Sequence, residues 1–501
     1  LYGVSRTNKF LDTAIEAHSA APIASKQAIV RGWCRTAGQG AGVGVPAAGQ
    51  LIPEAVDAAP LWVYGNRSVS DAGTRRSAVA VLATCKKQVC FQCDEESKQM
   101  NKKALFLIGL TLALAARLAS AQPKYDPGAS DTEIKIGNVA PYSGPVSLYG
   151  AVGKVEAAFF KMVNDQGGIN GRKINFISYD DAYSPPKTLE QTRRLVESDE
   201  VLVIFSPVGA PTNSAIQKYL NGKKVPHLFL ASASTKWDDP KHFPWTMGMG
   251  TSYQSEGAIF ARYIQREKPD AKVAVLYQND DFGKDMLKGF LDALGEKSSM
   301  ILAKSSYEVS EPTIDSHVVT LKSSGADVLV TFATPKFAVQ TVKKVSEMRW
   351  NPLHFITSVS SSVGAVLTPA GFENAQGLIS ATYLKDVLDP SLSQDPGMTR
   401  FLSFMDQYMP GVDKTDSLLV LGYSKAEALA HVLREAGDNL TRENIMKQAA
   451  SLRGVKSDVL LEGITLNTTP DNYSPVDEMR MMRFKGERWE LFGDLQKGIR
   501  R

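Results

Sequence analysis

Paired acids are the first residues in this sequence whose type and spacing could do chemistry. Asp180-Asp181 closes the apolar run Ile174–Tyr179 and could supply a general acid and base or grip a metal. Adjacent strand residues point to opposite faces, however, so the two carboxylates cannot readily converge on one substrate. Asn279-Asp280-Asp281 follows another apolar run and reads more simply as a turn and helix cap. Cys90-Phe91-Gln92-Cys93 has the spacing with which two thiolates hold zinc, but no second such pair and no His pair accompanies it. His227, His242, His317, His354 and His431 are scattered without ligand spacing. Residues 122–501 contain no HExxH, GxSxG, Walker A or GxGxxG pattern. These residues argue against an enzyme, and neither a cofactor nor a metal is expected.

Small residues and hydroxyls offer a different chemistry, that of holding a ligand. Three loops each follow an apolar run: Pro141-Tyr142-Ser143-Gly144-Pro145 with Tyr149-Gly150, then Ser206-Pro207-Val208-Gly209-Ala210-Pro211-Thr212-Asn213, then Ala231-Ser232-Ala233-Ser234-Thr235-Lys236-Trp237. Backbone N–H groups at such strand-to-helix junctions point outward and can cradle a carboxylate. One such loop is an ordinary turn and cap; three together, all at strand ends, indicate a site.

The elements that must position these loops alternate along the chain. Strands are expected at Ile134–Val139, Ile174–Tyr179, Val201–Phe205, Pro226–Leu230, 272–277, 300–306, 327–332 and 353–358. Helices are expected at 150–165, 187–197, near 212–221, and at 252–266, 284–294, 313–323 and 336–348. Gly167-Gly168 ends the first helix, since glycine takes the left-handed cap without steric cost. Short apolar runs alternating with helices imply parallel sheets covered on both faces. The alternation is too long for one sheet, so the expected fold class is α/β with two lobes.

Composition narrows the classes further. The chain has 501 residues, 43% hydrophobic and 22% charged, which excludes collagen-like, mucin-like and wholly disordered proteins. Its net charge of +4 is uneven: residues 1–121 hold 14 Lys/Arg against 8 Asp/Glu, and residues 122–501 hold 43 against 45. The bulk of the chain therefore lacks the basic stripe of a nucleic-acid binder. Lys102-Lys103, the apolar run 104–116 and Ala119-Ser120-Ala121 form the n-, h- and c-regions of a secretory signal, with cleavage expected after Ala121. Thirteen apolar residues are too few for a permanent membrane span, so no direct membrane insertion is expected. Residues 1–99 then read as an over-extended translation start or a disordered segment. All four cysteines precede residue 100, and a cysteine-free remainder suits an oxidising compartment.

The runs IKIGNVAPYSGPVSLYG, AFFKMVNDQGGINGRKINFISYDDAYSPPKT and VLYQNDDFGKDMLKGF resemble the branched-chain amino-acid type of periplasmic solute-binding protein, over roughly 132–495. The resemblance implies a type I periplasmic-binding fold: two α/β lobes joined by three chain crossings, monomeric, closing on a small ligand and delivering it to an inner-membrane ABC permease. On that template one lobe takes 132–250 plus 382–478 and the other 251–381 plus 479–501, ending in a hairpin at Arg480–Glu490. Tyr149 matches the tyrosine that flanks the ligand. Gly209 and Ala210, followed by Pro211, match the loop that holds the ligand carboxylate, although the usual serines are missing. Ala233 and Thr235 match a second carboxylate-holding loop, Phe282 the aromatic cap, and Thr334 and Ser360 lie in second-lobe loops.

One departure bears on the ligand. Family members that bind amino acids hold the ammonium partly with a second-lobe acid, where this chain reads Ser358-Val359-Ser360-Ser361-Ser362-Val363. A buried ammonium without an anionic partner is costly. The expected ligand is a hydrophobic carboxylate without an α-amino group, such as a phenylpropanoid, a benzoate or an arylpyruvate, as in the aromatic-acid branch of the family. A branched-chain or aromatic amino acid is the alternative, with Asp280 or Asp281 reaching the amine, and a secreted enzyme is a third reading.

Overall fold

The computed structural model describes residues 124–499. The cysteine pair, residues 1–99 and the signal-like segment 100–121 lie outside the described residues.

Within it, the parallel strands sort into two sheets. The first is built from β2 (Glu133–Ala140), β3 (Lys173–Asp180), β4 (Val203–Phe205), β5 (His227–Leu230) and β6 (Thr246–Gly248). Its order is β3-β2-β4-β5-β6, all parallel. A two-residue strand, β1 (Lys124–Tyr125), lies outside it and pairs with β12 (Asn439–Leu440). Ile136, Val139 and Val203 to Phe205 are fully buried, as expected of strands covered on both faces. Between them run α1 (Gly150–Asp165), α2 (Pro185–Glu197) and α3 (Ala210–Lys223). In α1, Val152, Val155, Phe159 and Val163 recur at three- and four-residue spacing and form the buried stripe.

The second sheet is built from β7 (Val273–Gln278), β8 (Ile301–Tyr307), β9 (Val328–Phe332), β10 (Leu353–Ile356) and β11 (Ile379–Thr382), which are parallel. The hairpin β13 (Glu478–Lys485) and β14 (Arg488–Lys497) is added antiparallel at the β11 edge, giving the order β14-β13-β11-β10-β9-β7-β8. Its helices include α4 (Tyr253–Glu267), α5 (Asp281–Leu294), α6 (Asp315–Ser323) and α7 (Pro335–Glu347). The expected strand at 353–358 stops at Ile356, because the Ser358 N–H that would extend it donates instead to Glu256 Oε1 at 2.6 Å.

The region 383–477, where the sequence pattern assigned no elements, holds α8 (Pro396–Tyr408), α9 (Ser417–Ala436) and α10 (Arg442–Ala449). These pack on the first sheet's side: Phe159 of α1 meets Tyr423 of α9 edge-on at 5.1 Å and Phe404 of α8 at 6.3 Å. Each sheet with its helices is called a lobe below. The chain passes between them after β6, after β11 and again before β13, and these passages touch. A Cβ on Gly250 would lie 2.6 Å from the Tyr383 hydroxyl, and Thr251 Oγ1 donates to Glu478 O at 3.0 Å.

Strand order decides where a ligand can enter. In the first sheet the direction of building reverses between β2 and β4, and in the second between β7 and β9. The loops that leave the carboxyl ends of neighbouring strands diverge at such a switch point and open a crevice.

Candidate functional site

A cleft with a cavity volume of about 110 Å³ is lined by both lobes. Tyr149 follows β2, Gly209 and Ala210 follow β4, and Ala231 to Ala233 follow β5; opposite them Phe282 follows β7, Thr334 follows β9 and Ser358 follows β10. The cleft therefore sits over the carboxyl ends of the strands at both switch points.

The first-lobe wall is largely backbone. Gly209 has a φ of +101°, and a Cβ there would lie 2.4 Å from Cε2 of the buried Tyr183, so glycine is required. Its N–H donates to Ala231 O at 3.1 Å, tying two cleft-lining loops together. That N–H is therefore used within the lobe and cannot hold a ligand carboxylate as the resemblance implied. Ala210 opens α3 and is fully buried at the cleft. The first N–H groups of a helix lack intrahelical partners and face outward. Tyr149 ends a 3-10 turn before α1, is 8% exposed, and donates its hydroxyl to Val359 O across the cleft at 3.3 Å. Burial raises its pKa well above the usual value, so it stays a neutral donor.

The second-lobe wall is made of side chains. Phe282 is 3% exposed and meets Tyr253 edge-on, with ring centroids 5.0 Å apart. Asp280 caps α5 by accepting from the N–H groups of Phe282 and Gly283, at 2.9 and 3.2 Å, which aims the phenyl ring. Asp281 turns outward and accepts from Lys236 Nζ and Ser214 Oγ of the first lobe, each at 2.6 Å. Thr334 lines the cleft, but its hydroxyl donates to Gln278 Oε1 at 2.9 Å.

Tyr149, Gly209, Ala210, Ala233, Phe282 and Thr334 thus come together on one cleft. Three expected residues do not line it. Pro211, in the first turn of α3, is half-buried beside the cleft. The Thr235 N–H and hydroxyl both donate to Asp285, each at 2.8 Å, and the residue faces a separate depression. Ser360 is buried behind the wall, donating to Ala333 O at 2.5 Å, while Ser358, Val359 and Ser361 form the wall itself.

The residues that sequence reasoning missed are charged. Glu256, in the first turn of α4, lines the cleft at 1% exposure and accepts from the Ser358 N–H at 2.6 Å and the Ser358 hydroxyl at 2.7 Å. Burial pushes its pKa up to about 7, against the pull of the Ser358 hydrogen bonds. The loop without an acid therefore receives one from another element. Lys425 of α9 also lines the cleft at 1% exposure. Both stand on apolar helix faces: Ile259 and Phe260 follow Glu256, and Leu429 follows Lys425, at three- or four-residue spacing. A charge on a buried stripe was the available signal.

Among the described residues no three His, Cys, Asp or Glu side chains are grouped to hold an ion. His227 is fully buried between Asn213 Oδ1 at 2.7 Å and Thr246, and burial lowers its pKa to about 3. Asp180 pairs with Lys187 at 2.9 Å, and Asp181 accepts from the Tyr183 N–H and the Thr188 hydroxyl. Both acids are turn anchors.

Against known proteins, the pattern of the periplasmic binding protein family matches residues 133–488. A Leu/Ile/Val-binding protein homolog 7 of Brucella suis is 24% identical over 311 residues, covering 58% of this chain and 73% of that relative. A branched-chain amino acid ABC transporter protein from Thermus thermophilus, solved with bound valine, superposes with a TM-score of 0.66 at 16% identity, covering 74% of this chain and 98% of that one. A fatty acid ABC transporter substrate-binding protein from Thermomonospora curvata gives 0.64 at 19% identity, covering 75% and 95%. At these identities the solved structures share the fold alone.

Proposed function

We propose a ligand from the premise that the chain belongs to the periplasmic binding protein family, whose members capture solutes outside the cytoplasm for ABC importers. The ligand is a small hydrophobic carboxylate, best met by an aromatic acid such as a phenylpropanoid, a benzoate or an arylpyruvate. The carrying observation is the aromatic lining that both lobes contribute: Tyr149 and Tyr183 from one, Tyr253 and Phe282 from the other. Burying about 150–200 Å² of such a ligand yields roughly 4–5 kcal/mol. Each hydrogen bond to its carboxylate adds about 1.5–3 kcal/mol. A ligand touching both lobes favours their closed arrangement, which is the form an inner-membrane permease would recognise. No bond is made or broken. The division into lobes at 250, 381 and 478 and delivery as a monomer belong to the same reading.

A second reading is favoured by Glu256. An ionised carboxylate in the cleft can hold an ammonium, which admits a branched-chain or aromatic amino acid. Thermal melts of residues 122–501 with p-coumarate, benzoate, phenylpyruvate, phenylalanine and leucine separate the two. A ligand at 100 times its Kd adds about 2.7 kcal/mol of stability. A melting shift with the amine-free acids alone supports the first reading. A shift with leucine or phenylalanine alone replaces it with the second.

A further inference from the structure

We infer that Lys425 is the cleft's determinant for an anionic ligand, the group that makes this site prefer a carboxylate to its uncharged isostere. The inference rests on the reading that the ligand carries a carboxylate, and it adds which residue detects that charge.

Three cleft-lining lysines must first be told apart. Lys385 is paired with Asp395 at 2.7 Å and donates to Asp458 O at 2.9 Å; Lys414 is paired with Asp406. Lys425 sits differently. Its Nζ donates to Leu230 O at 2.9 Å and Met249 O at 3.4 Å, the carbonyls that end β5 and lead into the first interlobe passage. A lysine ammonium has three donors, so the two carbonyls leave one N–H to spare and no carboxylate in hydrogen-bond contact. The neighbouring acid is Glu156 of α1, fully buried, which Lys425 senses electrostatically. Glu156 Oε2 accepts from Asn138 Nδ2 at 3.5 Å, and among the described residues its Oε1 has no hydrogen-bond partner.

Burial disfavours both charges: it lowers the Lys425 pKa and raises that of Glu156. A buried ammonium this poorly compensated costs several kcal/mol in the empty protein. An arriving carboxylate offsets that cost, whereas an amide of the same shape does not. A lysine that merely pinned the two strand ends would serve both ligands alike, which makes the acid-to-amide preference the diagnostic quantity.

The experiment measures Kd for p-coumarate and p-coumaramide, and for leucine and leucinamide, on residues 122–501. The proteins compared are wild type, Lys425→Met, and Lys425→Met combined with Glu156→Gln, which leaves no lone buried charge should the single variant fail to fold. Wild type is expected to prefer the acid of whichever pair it binds by about tenfold or more, and both variants to lose that preference with the amide's Kd little changed. Equal weakening of acid and amide in the variants, or no acid preference in wild type, overturns the inference. Binding confined to the leucine pair overturns the amine-free ligand but still tests Lys425; binding of none of the four overturns both.

Discussion

The two walls of the cleft are built on the same strand-loop-helix plan yet present different chemistry to it. The first lobe presents backbone: glycine, alanines and the open turn of α3, stiffened by the bond between the Gly209 N–H and Ala231 O, beside the buried Lys425. The second lobe presents side chains: Phe282 aimed by its capped helix, and Glu256 fastened to Ser358. Backbone contacts suit the invariant end of a ligand, because they depend on chain geometry rather than on residue type. Side-chain contacts suit the variable end, because one substitution changes them. The lobe that reads the ligand's identity is therefore expected to be the second.

Substitutions can break that contrast at either wall. The largest effect is expected of Phe282→Ala, which empties a buried aromatic position and should cost about 3–5 kcal/mol in chemical unfolding, along with most ligand affinity. Gly209→Ala attacks the other wall through the backbone. The positive φ and the contact with Tyr183 should cost about 2–4 kcal/mol, and all ligands should weaken alike in calorimetric titration.

Glu256→Gln sharpens the contrast through pH. The folded carboxyl titrates near 7 rather than at its usual 4.5, so between those values the folded chain keeps a proton that the unfolded chain has lost. Stability contributed by this group is present below about pH 4.5, falls as pH rises to about 7, and is level above that. The variant should therefore gain about 1–3 kcal/mol on wild type between pH 5 and pH 8, read as a growing difference in melting temperature.

Tyr149→Phe removes the hydroxyl bridge to Val359 O between the lobes and should lower the stability of the empty protein by about 0.5–1.5 kcal/mol, read as a lower melting temperature. The smallest effect belongs to Asp281→Asn at the outer contact with Lys236. Both side chains are 39% exposed, so solvent screening should hold the loss to under about 1 kcal/mol, and titrations at rising salt should erase it.

Much of the scaffold was legible in the sequence because its signals are local. The run Ile134 to Val139 and the stripe Val152, Val155, Phe159 in α1 each declare a period within a few residues. The helices of 383–477 were not assigned, although Leu418 to Leu433 is as apolar as α1. The alternation that gave the earlier segments away stops there, and α9 packs on a sheet whose last strand ends far back in the chain, at Gly248. Thr235 and Ser360 matched ligand-side loops by position, but hydroxyl partners are chosen in space, and Asp285 and Ala333 O lay nearer.

What the sequence determined by itself is the alternation of strand and helix, the two-lobed α/β class and the loops at strand ends that border the cleft. Those features follow from side-chain periodicity and from glycine and proline acting within a few bonds. Only the tertiary structure decided the charge of the site. Ser358 meets Glu256 from 102 residues away, and Lys425 meets Leu230 O from 195 residues away. The strength of a buried charge depends on what surrounds it once water is excluded, and that is set by which distant elements pack together.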